Sequence, residues 1–438
     1  MTEPLFPAES INTLIARRLP AWLVAHGNVD WLLALRRALH AQEEATHSLH
    51  RILQAIPALD EFAATRLNQV LNRADLTIAD LRRSHVGIER TVILPPMAPG
   101  WPIRRHMQRS STPLLAAVLH NFHIVDTRPS PSRRGWLLDA KGEHVPVGYE
   151  VFAGRCREAD VGGHYQAILR QCLAPDDAPG AAPGSAKAAV HRCFEENARA
   201  DLEVAVRCAL LKGDLDENSY RLLSPCFTAL PMVPAVPGEV APRQLYLLGK
   251  CVRGVVTLEL RPAVGADLQG VCVWVPNDPQ SPVRVYRSWE EVFRALARRL
   301  TTAPYRRFFS RFISERDRVC FQQLLEERIE ASAAHQVPEL DGRHLAIDTS
   351  LFSHLRGLQI DKLLDDAHVL AVPTADLDEH ERDARLHAYR ELGLNLLNLA
   401  GMFVPVLGEG LLAYTAVELA GEVYEGYQDW HSGVLRAT

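Results

Sequence analysis

Cys156, Asp160 and His164 bring a thiol, a carboxylate and an imidazole into one short stretch, Arg155-Cys156-Arg157-Glu158 leading into Gly163-His164. Flanking arginines favour a thiolate. Yet Val161 to Cys172 reads as a helix, which puts His164 on its first turn, whereas a nucleophilic cysteine usually takes its histidine from a distant part of the chain. The expected role of Cys156 is packing. His47 with His50, and His120 with His123, have a spacing that shares a helix face, but neither pair belongs to an HExxH pattern or has an adjacent carboxylate. The eight cysteines form no CxxC pair. No GxxxxGK[ST] loop is present, and neither Gly162-Gly163 nor Gly408-Glu409-Gly410 follows a strand pattern. These residues point to no catalytic group, no cofactor and no metal, so enzymatic activity ranks lowest among the possible functions.

Two stretches carry stronger physical signals. Between Ser281 and Arg318 ten arginines stand against four carboxylates, interleaved with Tyr305, Phe308, Phe309 and Phe312. Tyr305, Arg306, Arg307, Phe309, Arg311 and Phe312 are therefore candidates for contact with an anionic membrane surface. The commoner arrangement for aromatics at this spacing is a helix that packs them inward and solvates its arginines. From Asp361 onward fourteen carboxylates face five basic residues, and inside this acidic segment lies the longest apolar run, Leu392 to Ala420. Pro405 and Gly408-Glu409-Gly410 break it into two arms, a helical hairpin over Leu392–Tyr427. Each arm is shorter than the roughly 20 apolar residues a spanning helix needs. Conditional insertion is physically reasonable: low pH would neutralise Glu409, Glu418 and Glu422, leaving Leu396, Leu399, Phe403, Leu407 and Leu412 to meet lipid. His380 and His387 would charge in the same range and act as the pH switch. An ordinary buried hairpin is the competing and commoner reading.

The elements that position these groups follow from periodicity and breakers. Residues 1–85 read as an N-terminal helical domain, with apolar runs at Trp31, Leu32, Leu35 and Leu39, at Leu49 to Ile56 up to Pro57, and from Glu61 to Leu71. Residues 86–173 form a mixed region whose prolines oppose a long helix; Thr112 to Asn121 is a short one, and Gly135 to Val147 reads as a hairpin with a turn near Ala140–Gly142. Residues 174–186, rich in Pro, Gly and Asp, read as a linker or loop. Residues 187–335 hold a long helix to Lys212, an antiparallel meander within 244–286 and helices Trp289–Leu300 and Tyr305–Ala331. Residues 336–438 are a helical C-terminal region ending in the apolar hairpin, with Val337–Leu345 as loop. The fold class is predominantly helical α+β with one small antiparallel meander.

The 438 residues carry a net charge of −5 and 47% hydrophobic residues, which excludes a disordered chain and a nucleic-acid binder driven by bulk positive charge. Only five of the 48 basic residues are lysine, chiefly a mark of a GC-rich genome, though it also suits a protein working in a foreign cytosol with few amines for ubiquitin. Scattered cysteines fit a reducing cytosol. The N-terminus lacks the charged start and apolar core of a Sec signal.

The chain resembles the N-terminal region of the large dermonecrotic-toxin-like proteins of Pseudomonas and related bacteria. The likeness is carried by Leu19-Pro20-Ala21-Trp22-Leu23, Cys156-Arg157 through Gly163-His164-Tyr165-Gln166, Pro183-Gly184-Ser185-Ala186, Val275-Pro276-Asn277-Asp278-Pro279, Phe309-Ser310-Arg311-Phe312-Ile313, Asn395 through Glu409, and Glu422 to Trp430. None of these motifs is catalytic. The resemblance implies synthesis in the bacterial cytoplasm followed by secretion through a non-Sec route or delivery into a host cell. It also implies a delivery, localisation or scaffold role, with C-terminal toxin domains as partners in longer relatives. Expected partners are thus an anionic membrane and those toxin domains, or, for a protein-binding scaffold, a host or chaperone protein. Nucleic acid is not expected.

Overall fold

The computed structural model describes residues 29–72, 76–94, 104–229, 232–332 and 336–374. It is a helix-rich α+β fold with small antiparallel sheets, as the sequence implies.

The first apolar runs form one continuous helix, α1 (Val29–Leu53), followed by α2 (Leu59–Leu71) and α3 (Ile78–Arg83). Asn72 closes α2 in the left-handed conformation, and a Thr77–Asp80 capping box opens α3. Next come β1 (His85–Leu94), β2 (Arg104–Pro113), α4 (Leu114–His120) and β3 (Arg133–Leu138). The three strands make one antiparallel sheet in the order β2-β1-β3. The hairpin expected over Gly135–Val147 is present but short: around a turn closed by Gly142 N to Asp139 O, its arms are joined by the bonds Asp139 N to Glu143 O and Val145 N to Leu137 O and the bridge Leu138–His144, while its first arm, β3, finds its ladder partner in β1. Pro146 has no N–H with which to extend that arm.

Helices α5 (Tyr149–Ala159) and α6 (Val161–Leu173) meet at Asp160. The Pro/Gly-rich stretch leads into α7 (Ser185–Lys212), where Asp177 accepts hydrogen bonds from the amides of Gly184 and Ala186, the latter at 2.9 Å, and caps the helix entrance. After α8 (Glu217–Leu223), the strands β4 (Glu239–Leu247), β5 (Lys250–Cys251), β6 (Val256–Arg261), β7 (Gly270–Trp274) and β8 (Val283–Tyr286) form the expected meander, in the order β5-β4-β6-β7-β8. Then come α9 (Trp289–Leu300), α10 (Ala303–Phe309) and α11 (Glu315–Ala331). The single helix expected over Tyr305–Ala331 is therefore broken, by a 3-10 turn at Ser310–Phe312 and extended backbone at Ile313 and Ser314. The stretch read as loop before Leu345 gives way to β9 (Arg343–Ala346), which pairs with β4. The last described helix is α12 (Leu351–Leu370).

The second sheet is buried on both faces, and side chains alternate between two cores. Val256, Leu258, Cys272 and Trp274 face α7, α8 and the start of α12. Val271, Val273 and Val275 face α9, α10 and α11. A third core joins α2, α4, α5 and α6 with the first sheet. Two long helices cross these boundaries. α7 gives Val190 and Phe194 to the core of the first sheet and Leu202 and Val206 to that of the second; α12 gives Leu363 and Ala367 to the former and Phe352 and Leu355 to the latter.

Candidate functional sites: the basic groove and the chain exit

In the arginine-aromatic segment, Tyr305, Phe309 and Phe312 are buried, each at 6% exposure or less, while Arg307 is exposed and Arg306 and Arg311 are half-buried. The aromatics pack on one another, tilted for Tyr305 and Phe309 and edge to face for Phe309 and Phe312, inside the core beneath the second sheet. Tyr305 donates its hydroxyl to Asp278 Oδ2 at 2.9 Å, and the Arg299 guanidinium lies 4.1 Å from the Tyr305 ring and pairs with Asp278. Asp278 also accepts the amides of Gln280 at 2.9 Å and Ser281 at 3.3 Å, so the Val275-Pro276-Asn277-Asp278-Pro279 motif is the turn that ties β7 to α9 and α10. Arg306 donates to the carbonyls of Leu300 and Thr301 at the end of α9. In the folded state Tyr305, Phe309 and Phe312 are committed to the core, and Arg307 is the exposed side chain among these candidates.

Cys156 is fully buried, and burial pushes its thiol well above the ordinary cysteine value. Its neighbours do not activate it. Arg155 donates to Val70 O at 3.1 Å, Arg157 to Phe122 O at 2.7 Å, and His164 Nδ1 lies 3.0 Å from the carbonyls of Ala159 and Asp160. The flanking arginines are thus committed to backbone carbonyls of other elements. His123 caps a 3-10 turn, its Nδ1 accepting from Val125 N, and His50 contacts Gln54. Among the described residues no group of three His, Cys, Asp or Glu side chains is placed to hold a metal. One polar cluster had no sequence signal: Glu259, buried on β6, accepts from Trp289 Nε1 at 2.8 Å, Arg243 at 2.9 Å and Arg261 at 3.1 Å. Burial alone would raise its carboxyl, but these donors outweigh it and hold it below the usual range. Its acceptor capacity is spent on linking strands to α9.

Two further features of the described residues bear on the expected roles. The first is a groove of about 600 Å³ between the end of α6, the start of α7 and α12. Leu173, Ile360 and Leu364 supply its apolar part, and Arg170, Lys187 and Arg356 its charge, against Asp361. Arg356 is paired with Glu195. His191 sits within the groove, and its pKa is lowered first by burial and then by the positive charge of Arg356 and Lys187. A smaller pocket shares Arg170 and Leu364 and adds Arg316 and His368.

The second feature is the point where the chain leaves α12. Asp160, left-handed at φ 34°, ends α5 and caps α6. Its Oδ1 accepts the amide of Gly163 at 3.2 Å and that of Thr374 at 2.8 Å, and the Thr374 hydroxyl lies 3.0 Å away. Asn121 donates its side-chain amide to the same hydroxyl, and Val372 N donates to Leu119 O at 2.9 Å. Gly162 is required here by close approach: a Cβ would stand 2.2 Å from Val372 O.

The apolar candidates Leu396, Leu399, Phe403, Leu407 and Leu412, the carboxylates Glu409, Glu418 and Glu422, and the switch histidines His380 and His387 lie outside the described residues. Among the described residues no helix is long and apolar enough to cross a membrane.

Residues 53–316, from the end of α1 to the first turn of α11, match the family model described as dermonecrotic toxin, N-terminal domain. No curated protein matches the chain.

Proposed function

We propose, from the premise that the chain belongs to the dermonecrotic toxin N-terminal domain family and is a toxin-associated module, that it acts without catalysis, fixing the place from which a membrane-active C-terminal segment is offered. The observation that carries this reading is the clamp on Thr374. Hydrogen bonds from the end of α4 and from the α5–α6 junction hold Val372 and Thr374, the last described residues, against the core of the first sheet. The acidic and apolar stretch that follows is suited to meeting an anionic bilayer as its carboxylates protonate. The module would be made in the bacterial cytoplasm and delivered by a non-Sec route, positioning toxin parts joined to it. Flotation of the full chain with anionic liposomes tests this at neutral pH and at about pH 5, near the reference range of the groups invoked. Binding is expected to increase at acidic pH and to be abolished by Leu399→Asp with Phe403→Asp. Equal flotation of the intact chain and this variant would sink the membrane role.

A second reading, a scaffold for a host or chaperone protein, is favoured by the basic groove beside α6 and α12. An amphipathic acidic peptide fits its apolar part and cationic rim. Binding of such a peptide should weaken with salt and disappear on Arg170→Glu with Lys187→Glu; salt-insensitive binding would exclude the groove.

A further inference from the structure

We propose that the partly open cavity between α7, α12 and the turns of the second sheet is a binding site for a small oxyanion, a phosphate or a carboxylate. The cavity measures about 70 Å³, where a single water needs about 10–15 Å³. Three cations from separate elements line it: Arg253 from the turn after β5, Arg311 from the 3-10 turn after α10, and Lys362 from α12. Their compensation is uneven. Lys362 is paired with Asp366. Arg253 gives Nη2 to Asp365 at 2.9 Å, but its Nη1 is buried with no partner. Arg311 donates Nε to Phe308 O at 3.0 Å and lies 4.5 Å from the Phe308 ring, and among the described residues no carboxylate pairs with it. Burial holds its guanidinium below the ordinary arginine value. The carboxylate in the lining, Asp201, is already engaged, accepting from Gln42 Nε2 at 2.7 Å and Asn197 Nδ2 at 3.0 Å.

This donor set recognises oxygen anions. Guanidinium forks match the geometry of carboxylate and phosphate oxygens, and Asn277 and Gln359 add amides that donate to either. Trp274, Phe312 and Leu355 form an apolar wall that limits competing water. A bound oxyanion would give Arg311 a counter-charge that no described residue supplies and would satisfy the Arg253 nitrogen.

The test titrates inorganic phosphate into the full chain, with sodium acetate and sodium chloride at matched ionic strength in parallel arms, following Tm. A saturable rise is expected with phosphate or acetate and not with chloride, and the arm that saturates identifies the anion class. Arg311→Gln should weaken the apparent Kd about tenfold or more, a loss read against the variant's own anion-free Tm, which also registers its lost contacts with Phe308. Gln359→Glu, which adds a second carboxylate to the lining beside Asp201, should weaken it likewise through repulsion. A Tm that follows ionic strength alike in all three salts, or an anion response unchanged in both variants, overturns the proposal.

Discussion

Asp201 shows how one side chain carries a pH dependence. Burial pushes its carboxyl up to about 6 from the ordinary 3.8, despite the hydrogen bonds from Gln42 and Asn197. The folded state therefore holds this proton more tightly than the unfolded chain does. Its ionisation penalises the fold above about pH 6, and the penalty disappears as pH falls below about 3.8. Asp201→Asn should stabilise the protein at pH 7 by on the order of 1–2 kcal/mol and leave it nearly unchanged near pH 4; urea unfolding at both pH values measures this, and an equal effect at the two would refute the assignment. Thiol chemistry gives a second expectation. Cys320 is exposed whereas Cys156 and Cys272 are buried with raised pKa values. An aromatic disulfide reagent should label Cys320 readily and reach the other two only on unfolding; rapid labelling of Cys156 would contradict its packing role. At this scale the sequence was a partial guide. The spacing of Cys156 and His164 is plain, but nothing local shows that Arg155 and Arg157 turn to the carbonyls of Val70 and Phe122, because those partners are set by tertiary packing.

Elements were legible where local signals agreed. Helix α9 begins after Ser288, whose hydroxyl accepts from Glu291 N, and it ends as read, at Leu300. The break before α11 also had a signal, the Ser314-x-x-Asp317 spacing that marks a helix start, and the Ser314 hydroxyl does donate to Asp317 at 3.1 Å. Arginine-rich periodicity on both sides masks it. Strands β1, β2 and β9 escaped for other reasons. β2 exposes Arg105 to Ser111 and so shows no apolar alternation, and the four residues of β9 pair with β4 about a hundred residues away. The α11–α12 contact contains a buried ionic group. Asp366 accepts the amide of Glu315 at 2.8 Å and pairs with Lys362, both partners at 3% exposure or less. Lys362→Ala strands a buried carboxylate and should cost about 3–5 kcal/mol. Lys362→Met with Asp366→Leu should cost clearly less, because no charge is left unpaired. Denaturant midpoints decide this, and a double variant as unstable as the single one would contradict it.

For the whole molecule, the long-range pairing of β9 and the placement of α12 were not readable from periodicity. A helix pattern says which face is apolar, not which cores it will join. α12 takes part in two of them, so its loss should be felt across the fold. Leu363→Ala, at a fully buried position, should cost about 2–5 kcal/mol and speed amide exchange in β1 and in β7 together. Exchange confined to the first sheet would show that the cores open separately. Gly162→Ala should act on the same region by forcing Val372 away from α6. The Thr374 clamp also has a mechanical consequence. Tension applied at Thr374 first meets the Asp160 and Leu119 hydrogen bonds, then the docked face of α12. The two cores would thus come under load at their shared helix, and a chain threaded in this direction would give way there before either sheet is pulled apart.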